Sequence, residues 1–257
     1  MRVVGHVARR DTGGSDVVTL VDRAIRRARR AAGHDTPDIG SEMARRDARW
    51  DTFCRATEYI NFEAVPGDIV EFGVFTGISL ALLARAHRCD PKEMTRRVAG
   101  FDSFRGLPGS EEPHARWQAG DCASNHAWHP LLTVGDAVTP DVTRRLFEEC
   151  GLDAPLLHVG PFADTLPAAF PAVHRQVALA HFDCDLYEST RDALWALAPV
   201  LQDGAMLLFD DWFHYRGHPQ KGEARALSEF LAAHPQWGAV QYQPYSTFCN
   251  SFILYLR

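Results

Sequence analysis

Ala178-Leu-Ala-His-Phe-Asp-Cys-Asp-Leu-Tyr187, taken with Met206-Leu-Leu-Phe-Asp-Asp-Trp212, decides the fold. Each stretch is a short apolar run closed by carboxylates. Asp183 ends the first, and Asp210 and Asp211 end the second. Runs this short and this apolar read as strands buried on both faces, as in a parallel sheet. In an open α/β sheet ligands bind beyond the carboxyl ends of the strands, so carboxylates placed there converge on one crevice. Three hard oxygen donors suit a divalent cation such as Mg²⁺ better than a thiol-seeking metal.

The rest of the chain repeats the pattern. Pro66-Gly67 marks a turn, residues 68–72 form a strand, Gly73 to Gly77 a glycine turn, and residues 78–87 a helix. Residues 98–101 read as a second strand that ends in Asp102. Strands at 155–159, 177–182 and 205–209 alternate with helices that start near Gly160, at 189–201 and at 221–234, and Asp203-Gly204 reads as a turn. Such alternation predicts a doubly wound, mostly parallel sheet. Residues 240–244 and 251–256 pair with no helix between them, so one of the two runs antiparallel. Ahead of the sheet, residues 15–32 and 41–63 have helical periodicity. The first of these carries Arg23, Arg26, Arg27, Arg29 and Arg30 on one face, which reads first as a solvated or subunit-contacting surface. Residues 1–47 are expected to form a helical extension and residues 48–257 the catalytic domain. Within it, residues 103–150, rich in Gly, Pro, His and Trp, form a lid or binding insertion.

The chain has 257 residues, 46% hydrophobic and 23% charged, with a net charge of −6. That balance argues against a nucleic-acid platform, which needs a basic face. No apolar signal region and no membrane-length apolar run is evident, and the six scattered cysteines read as reduced thiols, so the expectation is a cytoplasmic protein. Residues 15–32, with no place in a single sheet domain, are expected to join subunits in a homo-oligomer.

The glycine turn narrows the ligand. Its G-x-x-x-G spacing is neither the dinucleotide fingerprint nor a P-loop. A helix amino end here accepts a carboxylate, with Ser79 placed to hydrogen-bond it, and Asp102 is placed to accept from a ribose diol. A nucleoside with an amino-acid tail and no pyrophosphate is S-adenosylmethionine.

Val70-Glu-Phe-Gly-Val-Phe-Thr-Gly-Ile-Ser79, Phe101-Asp-Ser-Phe-Arg-Gly-Leu-Pro108, Phe162-Ala-Asp-Thr-Leu-Pro167, Asp183-Cys-Asp-Leu-Tyr-Glu-Ser-Thr190 and Phe209-Asp-Asp-Trp212 resemble, in order, the motifs of the macrocin O-methyltransferase (TylF/MycF-type) family. The resemblance runs from about Ala48 to the carboxyl end. It implies a Rossmann-like class I methyltransferase fold using S-adenosylmethionine and Mg²⁺ to methylate a hydroxyl on a deoxysugar of a glycosylated antibiotic. It further implies that Glu71, Gly73 and Ser79, with Phe75 and Thr76 of the same turn, contact the cofactor. Asp102 takes the ribose with Ser103 beside it, and Gly160 and Phe162 sit on the adenine side. Asp183, Asp210 and Asp211 resemble the metal triad, with Asp183 also reaching the cofactor.

An alcohol is a weak nucleophile at neutral pH. A cation that binds it lowers its pKa, and a nearby base then takes the proton. Asp183 is the expected base. His181, two residues earlier on the same strand face, and His214 are weaker candidates. Asp185 is expected to bond backbone at the next helix start, and Cys184 to point away from Asp183. His114, His126, His129 and Asp121 raise a separate zinc reading, and Trp117 and Trp128 could stack on a sugar or aromatic ring. A nicotinamide dehydrogenase lacks its glycine fingerprint here. A catalytically silent binding subunit would have no reason to keep three packed carboxylates. A catechol or phenol acceptor stays open beside the sugar.

Overall fold

The computed structural model describes residues 38–89, 95–112, 114 and 116–257. The expected helix at 15–32 lies outside the described residues. Residues 39–257 form one compact unit. Its helices are α1 (Ile39–Arg46), α2 (Trp50–Phe62), α3 (Ile78–Cys89), α4 (Pro140–Glu149), α5 (Phe162–Ala169), α6 (Tyr187–Leu197), α7 (His214–Gly217) and α8 (Gly222–Ala233). Its strands are β1 (Asp68–Phe72), β2 (Val98–Asp102), β3 (Leu156–Val159), β4 (Val177–Phe182), β5 (Leu201–Phe209), β6 (Trp237–Tyr245) and β7 (Cys249–Leu256).

The strands form one sheet in the order β3-β2-β1-β4-β5-β7-β6. The first five pair in parallel, and β7 runs antiparallel to both β5 and β6. This is the mixed sheet with an antiparallel closing strand that the sequence predicts. β1 and β4 are buried at every residue because helices cover both faces. One core packs Leu166, Leu194, Leu197, Leu227 and Phe230 against Phe72, Phe182 and Phe209. The other packs Phe53, Ile60, Leu80, Leu83 and Phe147 against Ile69, Leu179 and Leu208. The chain order reverses at β1, between β2 and β4, which makes the carboxyl ends of β1 and β4 the expected crevice.

Two local readings change. Residues 41–63 are not one helix: the chain breaks between α1 and α2, where Asp47 accepts the Arg49 backbone N–H at 2.9 Å. A short carboxylate that bonds backbone two residues on competes with the helix ladder. Asp203-Gly204 is not a turn between helix and strand but lies inside β5. Gly204 has φ +84°, and the pairing with β4 jumps from Val177–Leu201 to Leu179–Met206, so the glycine serves a bulge.

Candidate active site

At the end of β1, Gly73 has φ +87°, and a Cβ there would lie 1.9 Å from the Asp183 carbonyl oxygen. Its lack of a side chain lets the ends of β1 and β4 approach. Gly77, at φ +88°, gives room to Thr143 of α4. The Asp102 carboxylate fixes the turn between them: Oδ2 accepts N–H groups of Val74 and Phe75, each at 2.8 Å, and Oδ1 that of Phe104 at 2.6 Å. A carboxylate has about four acceptor positions. Asp102 therefore spends most of its acceptor capacity on shaping the turn and keeps about one position open.

Two clefts flank the turn, and Phe75 lines both. The first, about 520 Å³, is lined by Gly73, Phe101, Asp102, Ser103, Gly160 and Phe162. The second, about 440 Å³, is lined by Thr76, Ser79, Asp183, Arg46, Arg49 and Trp128. Glu71 lines neither. It is fully buried behind the turn, accepting from Ser79 Oγ at 3.2 Å and His181 Nδ1 at 2.8 Å. It braces Ser79 and His181 from behind the turn.

The carboxylates gather at the ends of β4 and β5. One ligand atom each from His181, Asp183 and Asp210 lies within 4.8 Å of the others, the one such group of three or more among the described residues. Asp211 is outside that group. Its Oδ1 is 3.6 Å from His214 Nε2, and its backbone N–H donates to Glu223 at 2.9 Å. Asp185 bonds no backbone at the start of α6, where Leu186 is the cap residue without a side-chain bond. Its carboxyl instead feels Asp183 and Asp210. Cys184 Sγ lies 3.5 Å from Thr190 Oγ1, and the residue lines the first cleft. The zinc reading finds no support: His114, His126, His129 and Asp121 form no such group. Nδ1 of His129 accepts from Leu131. Trp117 stacks on His214 at 4.6 Å, and Trp128 carries the Arg46 guanidinium at 4.4 Å.

Sequence reasoning missed Arg49, having placed it inside a continuous helix. Its Nη1 lies 2.9 Å from Asp183 Oδ2 and 3.3 Å from Asp210 Oδ2. Asp47 holds the other edge, with Nε to Oδ1 at 3.0 Å and Nη2 to Oδ2 at 2.9 Å. The signal was an Asp-x-Arg pair just ahead of the aromatic Trp50.

The charges are out of balance. Burial, and then the Asp210 charge, push the Asp183 carboxyl up to about 7. Burial, with Asp183 and Asp210, pushes Asp185 up to about 8. Burial raises Asp211 and Glu223 well above the carboxylate range, reinforced by their carboxylate neighbours. Asp210 goes the other way, because Arg49 and His181 outweigh its burial. Burial opposes the charge on His181, yet Asp210 and Glu71 raise it to about 10. His181 Nε2, Asp211 Oδ2 and Glu223 Oε1 are buried without hydrogen-bond partners. Buried polar atoms are rarely left so. Hard oxygen donors in excess of cations, with orphaned atoms among them, fit a divalent cation.

A parallel sheet closed by an antiparallel hairpin, with a glycine turn and strand-end carboxylates on one edge, defines a class I methyltransferase. The macrocin O-methyltransferase (TylF) family model matches residues 7–234, and the chain belongs to that family. It is an O-methyltransferase. A Streptomyces olivaceus protein, 8-demethyl-8-(2,3-dimethoxy-alpha-L-rhamnosyl)-tetracenomycin-C 4'-O-methyltransferase, is 35% identical over 189 residues, 71% of this chain and 67% of that one. Demethyldecarbamoylnovobiocin O-methyltransferase of Streptomyces niveus is 38% identical over 58% of this chain and 53% of its own length. The structure of the O-methyltransferase NovP superposes with a TM-score of 0.59 at 28% identity, covering 82% of this chain and 80% of that one.

Proposed function

We propose that this enzyme transfers the methyl group of S-adenosylmethionine to a hydroxyl of a deoxysugar on a glycosylated natural product, assisted by Mg²⁺. The observation that carries the reading is the adjacency of the cleft lined by Ser79 and Asp183 to a carboxylate cluster short of positive charge. The adenosine fits the cleft of Asp102, Gly160 and Phe162, and the methionine carboxylate fits the amino end of α3 at Ser79. The sulfonium then lies toward Asp183, and its positive charge complements the cluster. The Streptomyces olivaceus relative is named for methylating a rhamnosyl group, which favours a sugar acceptor.

Asp183 and Asp210 would hold the cation, with Asp211 at its side. When bound, the ion supplies Lewis acidity that lowers the pKa of the acceptor hydroxyl. In the transfer the acceptor oxygen forms a bond to the methyl carbon as the carbon–sulfur bond breaks in line, leaving S-adenosylhomocysteine. The hydroxyl proton passes to Asp183. The cleft walls hold the oxygen close to the methyl, which removes much of the entropic barrier.

Mass spectrometry of the denatured protein and titration with S-adenosylhomocysteine test the cofactor. Nicotinamide nucleotide in place of the homocysteine derivative would overturn the reading. Asp183→Asn is expected to lower turnover by at least 10³-fold, on the order of general-base and metal effects combined, while S-adenosylhomocysteine still binds. Full activity of that variant in excess EDTA would sink the metal and base assignments. Screening glycosylated natural products against simple catechols, with and without Mg²⁺, tests the acceptor. A catechol preference would replace the sugar.

A further inference from the structure

Among the described residues, Arg49 is the guanidinium that touches Asp183 and Asp210, and its geometry is constrained from both sides. Asp47 grips Nε and Nη2 as a two-point fork, which leaves Nη1 to reach the strand ends. Nη1 then meets the Oδ2 oxygens of both Asp183 and Asp210. The facing oxygen Asp210 Oδ1 points elsewhere, toward Cys249 Sγ at 3.2 Å and His181 Nε2 at 3.7 Å. The guanidinium so binds Oδ2 of each carboxylate and sets the two side chains at a fixed spacing from one another. A planar fork does this and a point charge does not, because only the fork can be oriented by one carboxylate while it orients two others.

We propose that Arg49 is the positioning residue of the cation site. It holds Asp183 and Asp210 by their Oδ2 oxygens, so that the two carboxylates are fixed relative to each other before a divalent ion arrives. It also ties the site to the break between α1 and α2, since Asp47 and Arg49 are the residues of that break. The inference rests on the metal reading given above.

Simple charge balance makes the opposite prediction, which gives the test its edge. If Arg49 only neutralised the cluster, removing it would make the site more negative and Mn²⁺ would bind more tightly. If it positions the carboxylates, removal lets two like charges splay apart and Mn²⁺ binds more weakly. The experiment is Mn²⁺ titration of the full chain, followed by electron paramagnetic resonance, for the wild type, Arg49→Met, Arg49→Lys and Asp47→Asn. Folding is checked by circular dichroism.

The expected result is a loss of Mn²⁺ affinity of about tenfold or more in Arg49→Met, as expected for a partner that orients metal ligands. Arg49→Lys should restore only part of it. Asp47→Asn keeps the guanidinium but frees it, and should lose affinity in the same direction. Arg49→Lys keeps the charge and loses the fork, so weaker Mn²⁺ binding in it carries the test if Arg49→Met does not fold. Mn²⁺ binding that is equal or tighter in the variants overturns the inference and leaves the metal reading standing. Absence of Mn²⁺ binding to the wild type overturns both.

Discussion

Gly73 illustrates how narrow the choice is at single positions. It combines φ +87° with backbone 1.9 Å from where a Cβ would stand, so no rotamer can relieve an alanine there. Gly73→Ala is expected to cost about 3 kcal/mol or more, the range of combined strain and overpacking. Urea unfolding checks it, and a loss under about 1 kcal/mol would contradict the geometry. Asp68, at the opposite end of β1, makes a pH-dependent contribution. Burial alone would raise its carboxyl, but His174 Nδ1 at 2.8 Å and Arg97 Nη2 at 2.7 Å outweigh it, so its pKa is lowered. A lowered folded pKa means stability that is complete above the unfolded value of about 3.9 and lost as pH falls through the folded value. Asp68→Asn should therefore be about 2 kcal/mol less stable than the wild type at pH 7. That gap should narrow as pH drops below about 4. A gap of the same size at pH 3 and pH 7 would show that the ion pair is not its source.

Among the elements, the segment after β2 is tied to two helices through the carboxylates of Glu188 and Glu112. Glu188 of α6 accepts Ser110 Oγ at 2.9 Å and the Glu111 N–H at 2.8 Å. Glu112 in turn accepts the Gly222 N–H at 2.8 Å, at the start of α8. Residues 105–109 and Cys122 of this segment line the first cleft together with Asp102 and Glu188. Glu188→Ala should raise amide exchange in residues 106–112 by tenfold or more, while β1 and β4 keep their protection. Equal exchange in variant and wild type would mean that other contacts hold the insertion. The break between α1 and α2 is the other decisive element. No glycine or proline marks it, so periodicity carried one helix through it, yet it delivers Arg49 to the strand ends.

Across the whole molecule, the proposed cofactor site would link ligand binding to the fold at the carboxyl edge of the sheet. S-adenosylhomocysteine at a hundred times its dissociation constant should add about 2.7 kcal/mol of stability. A thermal melt should then shift upward by several degrees. No shift despite measured binding would mean that the unfolded chain binds equally well.

The strand runs, the glycine turn and the strand-end carboxylates were legible in the sequence because each is a local pattern of burial or backbone freedom. Residues 177–182 could be read as a strand because only His181 interrupts their apolar character, and β4 has those bounds. The antiparallel closing pair followed from the missing helix between its members. Only the tertiary structure decided how side chains distant in sequence share one volume. It set Glu71 behind the site as the partner of His181, committed Asp102 mostly to backbone, drew Asp185 into the charged cluster, and brought Arg49 to Asp183. Those outcomes depend on charge and burial summed over many elements, and no spacing along the chain encodes such a sum.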